Sequence, residues 1–464
     1  MTWRKGHIVE LSIERMAYGG RGIARLDGIA VFVRGGVPGD RLSARIIRKR
    51  RGFAEAITVE LLSPSPDRVP SPCPYFGWCG GCQWQHVAYE RQLAYKREHV
   101  LESLSHIGGL KEPMVNPCIP SEKTFGYRNK MEFTFSDRRW RLPHEVEMRR
   151  QDDDFALGLH VPGAFQKVID IEACLLQSDT GNRILELVRK YARDSGVPVY
   201  GLKTHQGFWR YLTIRRSNAR DEWMVNIVTS EDRPDLVQPL ADLLAGRIER
   251  LATVVNNINS RGASIAVGER ETVLFGDGCI RDRIGPFDFR ISANSFFQPN
   301  SMGARRLYET VVRYADLKGF ETVVDLYSGT GTIPLFLADR VRTVIGIEIS
   351  RSAARDAAMN ARQNGIHNCR FICGDIRERL GDIGNAPDLV VIDPPRAGMH
   401  KDVLAQVMAL RPQKVVYVSC NPATLARDLG MMTDRYDLLE VQPVDMFPHT
   451  YHIEAVAGLR LRRG

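Results

Sequence analysis

Between residues 320 and 420 five short apolar runs, TVVDLYS, TVIGIEI, CRFICGD, DLVVIDPP and KVVYVSC, recur with helix-compatible segments between them. A strand that is apolar on both faces has to be covered on both. Alternation with helices supplies that cover, so the stretch reads as an α/β unit with a parallel sheet. Two further runs, YDLLEV and IEAVAGLRL, are joined by a connection too short for a crossover helix and are expected to form an antiparallel pair. Ligands of open parallel sheets bind beyond the carboxyl ends of the strands. There the five runs end, in order, at Asp325, Glu348, Asp375, Asp393 and Cys420.

A chain of 464 residues needs more than one core. Residues 1–62 carry strand-like pieces, IVELSI, IAVFV, RLSARII and EAITVELL, separated by Gly-rich turns, which predicts a small β-barrel. The segment LSPSPDRVPSPCP has five prolines in thirteen residues and marks a linker. A central unit is expected over 63–290, opening with a cysteine cluster and a helix over VAYERQLAYKREHVLESL, and the sheet unit over 291–464. The charged stretch SDRRWRLPHEVEMRRQDDDF reads as an exposed hairpin or loop. A net charge of +9 suits a polyanionic partner such as nucleic acid, and Arg48, Lys49, Arg50 and Arg51 form a basic run in the barrel. The start MTWRKGHIVE lacks the apolar core of a signal peptide, and no apolar run approaches the ~20 residues of a membrane span, so a cytoplasmic chain is expected. Nine cysteines in such a chain argue for thiols, metal ligands or a nucleophile ahead of disulfides.

The turn after Asp325 is Gly-x-Gly, which lets a ligand approach the backbone, and Glu348 follows 23 residues after Asp325, about where an acidic side chain meets ribose hydroxyls. The helix after Gly331 carries no Lys-Ser/Thr for a triphosphate, and the third glycine of a dinucleotide turn is replaced by Leu335. An S-adenosylmethionine site accounts for this pattern. Cys420, one strand from Asp393, then sits where a thiolate can attack a substrate. Carbon 5 of a pyrimidine is a poor nucleophile, and thiolate addition at carbon 6 turns the ring into an enolate that takes a methyl group at carbon 5. A base must then remove the carbon 5 proton. The antiparallel last strand begins at the same edge, which makes Glu454 the candidate, with His449 and His452 as competitors. Near the linker, Cys73, Cys79 and Cys82 give C-x5-C-x2-C. Three thiolates need a fourth ligand: zinc with His86, or an iron-sulfur cluster with another cysteine.

These motifs together resemble the RNA uracil-5-methyltransferase family, bacterial enzymes acting on ribosomal or transfer RNA. The stretch MAYGGRGIARLDGIAVFVRGGVPGD is similar to a TRAM domain, an OB-like RNA-binding barrel, and NSFFQPN, DLYSGTGT, GIEIS, DPPRAG, SCNPATLARD and FPHTYHIE are patterns the family shows. The resemblance implies a Rossmann-like methyltransferase fold behind a central α+β iron-sulfur domain. It implies Cys420 as nucleophile and Glu454 as proton acceptor, and it puts Gln298, Tyr327, Thr332, Glu348, Asp375 and Asp393 at the S-adenosylmethionine site. It also selects a [4Fe-4S] cluster on Cys73, Cys79, Cys82 and Cys174, leaving His86 structural. The expected partner is RNA, 23S rRNA ahead of tRNA, with a monomer as the default and no obligate protein partner. The same residues are also compatible with two other classes: a nucleic-acid N-methyltransferase that uses the Asp-Pro-Pro-Arg motif with Cys420 idle, and an RNA-binding factor with a decayed fold.

Overall fold

The computed structural model describes residues 3–147, 154–261 and 268–463. At the N-terminus, strands Ile8–Ser12, Arg15–Ala17, Arg21–Leu26, Ile29–Arg34, Arg41–Lys49 and Phe53–Ser63 form one six-stranded sheet. It curls until its first strand approaches the third, around Leu11, Val31, Val33, Leu42, Ala44 and Ala54. The hairpin over 15–26 has no apolar run to announce it. Its turn is built on Gly19 and Gly20, both at positive φ. The basic run divides: Lys49 lies over the Trp3 ring at 4.0 Å and Arg48 faces Glu55, while Arg50 and Arg51 occupy the exposed hairpin turn.

The central region is α+β, a seven-stranded sheet over 130–276 whose apolar face is packed by helices Asp179–Asp194 and Pro234–Arg247. The charged stretch contains a short helix, Pro143–Glu147, and its residues 148–153 lie outside the described residues.

The C-terminal sheet contains β1 (Thr322–Leu326), β2 (Thr343–Glu348), β3 (Cys369–Cys373), β4 (Leu389–Ile392), β5 (Lys414–Ser419), β6 (Tyr436–Val444) and β7 (Glu454–Leu461). Their order across the sheet is β3-β2-β1-β4-β5-β7-β6. The expected βα alternation and the antiparallel last pair are both present, and β7 is inserted between β5 and β6, antiparallel to each. Reversal carries its first residue to the carboxyl edge: Ala455 pairs with Ser419, so Glu454 stands opposite Cys420.

Packing cuts across the sequence boundary at 290. The helix Tyr89–His106 lies against the helix Pro422–Met432, and Val100, Leu104 and Val115 join the core beneath β1, β4 and β5. The hairpin Cys279–Ile284 with Phe287–Ser292 shares the core on the other face with helix Ser301–Ala315. Neither piece has enough apolar surface to form a core alone, so both bury against the large sheet.

Candidate active site

A cavity of about 750 Å³ opens at the carboxyl edge of β1, β2, β4 and β5. Its floor is the turn after β1. Tyr327 has φ +67 and Gly331 φ +83, and a Cβ on Gly331 would stand 3.0 Å from that of Ala357. Only glycine takes that backbone without strain, and its small size lets the turn pack against Ala357 and Phe371 just before the helix that starts at Thr332. The Glu348 carboxylate accepts from the Gly329 amide at 2.9 Å and the Ser350 amide at 2.8 Å, which fixes it at the rim with lone pairs to spare.

Four carboxyl groups, Asp325, Glu348, Asp393 and Glu454, line this one cavity together with Cys420. Burial and mutual repulsion push three of them towards the protonated form. Asp393 rises to about 6 through burial, and Glu454 rises well above the carboxylate range through burial and the nearby Asp393, against a downward pull from the Lys96 ammonium. Asp325 is also raised well above its usual range, and neither of its oxygens has a hydrogen-bond partner among the described residues. The Cys420 thiol is pushed up to about 11 by burial and by Glu454 and Asp393, with the Arg396 guanidinium acting in the opposite sense. An enclosed space with this excess of acceptors suits a cationic ligand.

Of the expected residues, Gln298, Tyr327, Thr332, Glu348, Asp393, Cys420 and Glu454 all line the cavity. Asp375 does not: it caps the short helix Ile376–Arg379 and is ion-paired with Arg377 at 2.5 Å, which holds its carboxyl down at about 2. The helix after Gln298 is capped by Asn300, whose side chain accepts from the Gly303 amide at 3.0 Å, which leaves the Gln298 side chain to the cavity. Of the competing bases, His452 lines the cavity, while His449 is buried in a stack with Phe125, its centroid 4.3 Å away. Burial holds both near 4, neutral at physiological pH. Sequence reading placed Asp325 at the ligand edge but gave it no part in the site, although a lone carboxylate in the apolar run TVVDL was a signal. It also missed Arg396 and Arg128, which reach the cavity from a turn and from the central region.

The model of the tRNA (uracil-5-)-methyltransferase family matches residues 277–463, and that of the TRAM domain residues 2–59. An uncharacterized RNA methyltransferase of Chlorobaculum tepidum is 44% identical across 98% of this chain and 97% of its own. Another, from Caldanaerobacter subterraneus, is 39% identical across 98% and 99%. The chain belongs to the RNA uracil-5-methyltransferase family. Family membership makes it a transferase, and its N-terminal barrel is a TRAM domain. Among solved structures, the tRNA (uracil-54, C5)-methyltransferase of Pyrococcus abyssi, in complex with S-adenosyl-L-homocysteine, is similar at a TM-score of 0.76 with 29% identity. The match covers 97% of this chain and all of that one.

In this uracil-5-methyltransferase the thiols of Cys73, Cys79, Cys82 and Cys174 line a second cavity of about 140 Å³, walled otherwise by groups such as Tyr75, Phe76, Met131, Leu159 and Ile171. Burial raises all four, Cys79 and Cys82 to about 12, and the thiols repel one another as thiolates. Four half-buried thiols, with the Arg128 guanidinium as the cation beside them, have the donor chemistry of a cationic metal centre. Among the described residues no group of three or more His, Cys, Asp or Glu is placed to hold a metal ion. His86 is outside this cavity, packed on Phe76. Cys118 and Cys279 are buried, as core thiols should be, and Cys369 is half-buried. Cys373 is exposed at the end of β3, the edge strand.

Proposed function

We propose that this enzyme methylates carbon 5 of a uridine in structured RNA, with S-adenosylmethionine as methyl donor and Cys420 as covalent catalyst. The observation that carries the reading is the pairing of Cys420 with Glu454 across adjacent strand ends, in a cavity that also holds Asp393 and the Gly-x-Gly turn. The donor supplies an electrophilic methyl and a positive charge. Glu348 is suited to ribose hydroxyls, and Tyr327, Thr332, Gln298 and Asp325 surround the remaining volume. Asp375 belongs to this set only if its ion pair with Arg377 opens.

A uridine flipped from its stack presents carbon 6 to Cys420. The Sγ–C6 bond forms as the C5–C6 double bond opens to an enolate, and carbon 5 takes the methyl as the donor's sulfur–methyl bond breaks, leaving a neutral thioether. Glu454, whose ionised form the Lys96 ammonium favours against its burial, removes the carbon 5 proton as carboxylate; the double bond re-forms and the Sγ–C6 bond breaks, returning the thiolate. The cation Arg396 beside Cys420 favours thiolate at both ends of this sequence.

Residues 1–62 serve RNA binding, 63–290 carry a [4Fe-4S] cluster on Cys73, Cys79, Cys82 and Cys174, and 291–464 carry the chemistry. Methyl transfer to an enolate consumes no electrons, so the cluster is structural. The RNA is 23S rRNA; the similarity to a tRNA enzyme supports transfer RNA as the second reading. Mapping 5-methyluridine in both RNAs from a strain lacking the gene decides between them. For the chemistry, Cys420→Ala is expected to abolish turnover, and Glu454→Gln to trap a protein–RNA adduct that survives a denaturing gel. Undiminished methylation by Cys420→Ala overturns the mechanism.

A further inference from the structure

Nine residues, Asp445 to Ile453, connect β6 to Glu454, and their fixed points lie outside the catalytic sheet. The His449 carbonyl accepts from the backbone amides of Gln83 and Trp84, both at 2.9 Å. These are the two residues that follow Cys82. Gln92, with no exposed surface, ties the same two segments together through its side chain. Its Oε1 accepts from the His449 amide at 2.9 Å, and its Nε2 donates to the carbonyls of Trp84 at 3.0 Å and Val87 at 2.8 Å and lies 3.2 Å from His449 Nδ1. One turn along the helix, the buried Lys96 ammonium donates to Asp445 Oδ1 at 2.6 Å and to the Phe447 carbonyl at 3.0 Å. His449 itself holds φ +65, a conformation that a residue with a Cβ keeps only when its surroundings impose it. Arg128 lines both the thiol cavity and the catalytic one.

We propose that the cysteine loop positions the proton acceptor, with Gln92 as the positioning residue that relays the place of the loop to Glu454. This rests on the reading of Cys420 and Glu454 given above and adds a role for the thiol site in the second half of the reaction. Attack by Cys420 depends on the end of β5, which is held by the sheet. Removal of the carbon 5 proton depends on Glu454, the first residue of β7, which pairs with Val444 at the mouth of the loop 445–453 and so takes its final placement from the anchors of that loop on 83–92. A shift of about 1 Å in a reacting group is worth roughly 100-fold in rate. Disordering the cysteine loop therefore slows adduct release and leaves adduct formation nearly untouched.

The test uses Gln92→Met, which keeps the volume and removes the amide, in the full-length enzyme with 23S rRNA and tRNA transcripts carrying tritium at uridine carbon 5. Covalent adduct on denaturing gels reports attack, and tritium release reports proton removal. Adduct formation is expected within about 2-fold of wild type and tritium release at least ~10-fold slower, so that adduct accumulates. Hydrogen exchange of 445–453 in the RNA-free variant is expected to quicken, the His449 amide most. A second arm needs no substitution: stripping the thiol site of wild-type enzyme with ferricyanide and a chelator is expected to shift the same partition, and it serves if Gln92→Met does not fold. A proportional fall in both steps, or no change in either arm, overturns the proposal. Absence of any Cys420-dependent adduct, even with Glu454→Gln, would instead remove the covalent mechanism on which it rests.

Discussion

In the ligand-free enzyme the Cys420 thiol should be dormant. With the thiol pushed up to about 11, about one molecule in a thousand carries thiolate at pH 8, against roughly one in four for an unperturbed thiol near 8.5. The loss of thiolate is therefore ~200-fold, and the higher intrinsic nucleophilicity of a more basic thiolate recovers about 10-fold, leaving alkylation about 20-fold slower than that of a cysteine peptide. The assay is the pH dependence of iodoacetamide labelling at Cys420, read by peptide mass spectrometry. The labelling rate should still be climbing at pH 10. A non-reactive analogue of the methyl donor with an amine in place of the sulfonium brings a positive charge among Asp325, Glu348, Asp393 and Glu454 and should move the midpoint down. The uncharged thioether product should move it less. A ligand-free midpoint at or below ~8.5 would refute the reasoning, since it would mean that burial and the neighbouring carboxylates do not govern this thiol.

Two further outcomes are expected. Asp393 has a folded value near 6, above its unfolded value, so its contribution to stability is complete below about pH 4 and is lost as pH rises through 6. Two units correspond to about 3 kcal/mol, and urea titrations between pH 4 and 7 should show Asp393→Asn flattening that part of the decline. Gly331→Ala forces a Cβ to 3.0 Å from Ala357 at φ +83. It should destabilise the fold by about 1–3 kcal/mol and weaken binding of S-adenosylhomocysteine measured by calorimetry.

What sequence reading found and missed follows from the range of the interactions involved. Strand ends in the C-terminal sheet were legible because TVVDL, TVIGIE and KVVYVS are apolar on both faces, and because the short link before IEAVAGLRL permits only an antiparallel return. That alone brought Glu454 to Cys420. The hairpin 15–26 was missed because its first strand has only three residues and its second, RGIARL, interrupts its apolar positions with arginines, so that only its glycines speak for it. The helix Tyr89–His106 was legible as a helix but not as part of the catalytic core, since its partner helix begins more than three hundred residues on. Asp375 had the right position at a strand end, yet Arg377, two residues along, takes its charge. Spacing shows which residues can reach an edge; which of them is already paired is decided by neighbours that spacing does not reveal.

The insertion of β7 between β5 and β6 also orders events during synthesis. A chain emerging from the ribosome can pair β1 to β5 as soon as each is made, but β6 meets only residues 114–119, through isolated bridges at Val441 and Val444, until the segment beyond Glu454 arrives to join it to β5. Until then β5 is an open edge with an unguarded sulfur at its tip. A stalled or clipped product ending before 454 would thus lack proton acceptor and closing strand at once, a sticky intermediate that quality control is equipped to remove.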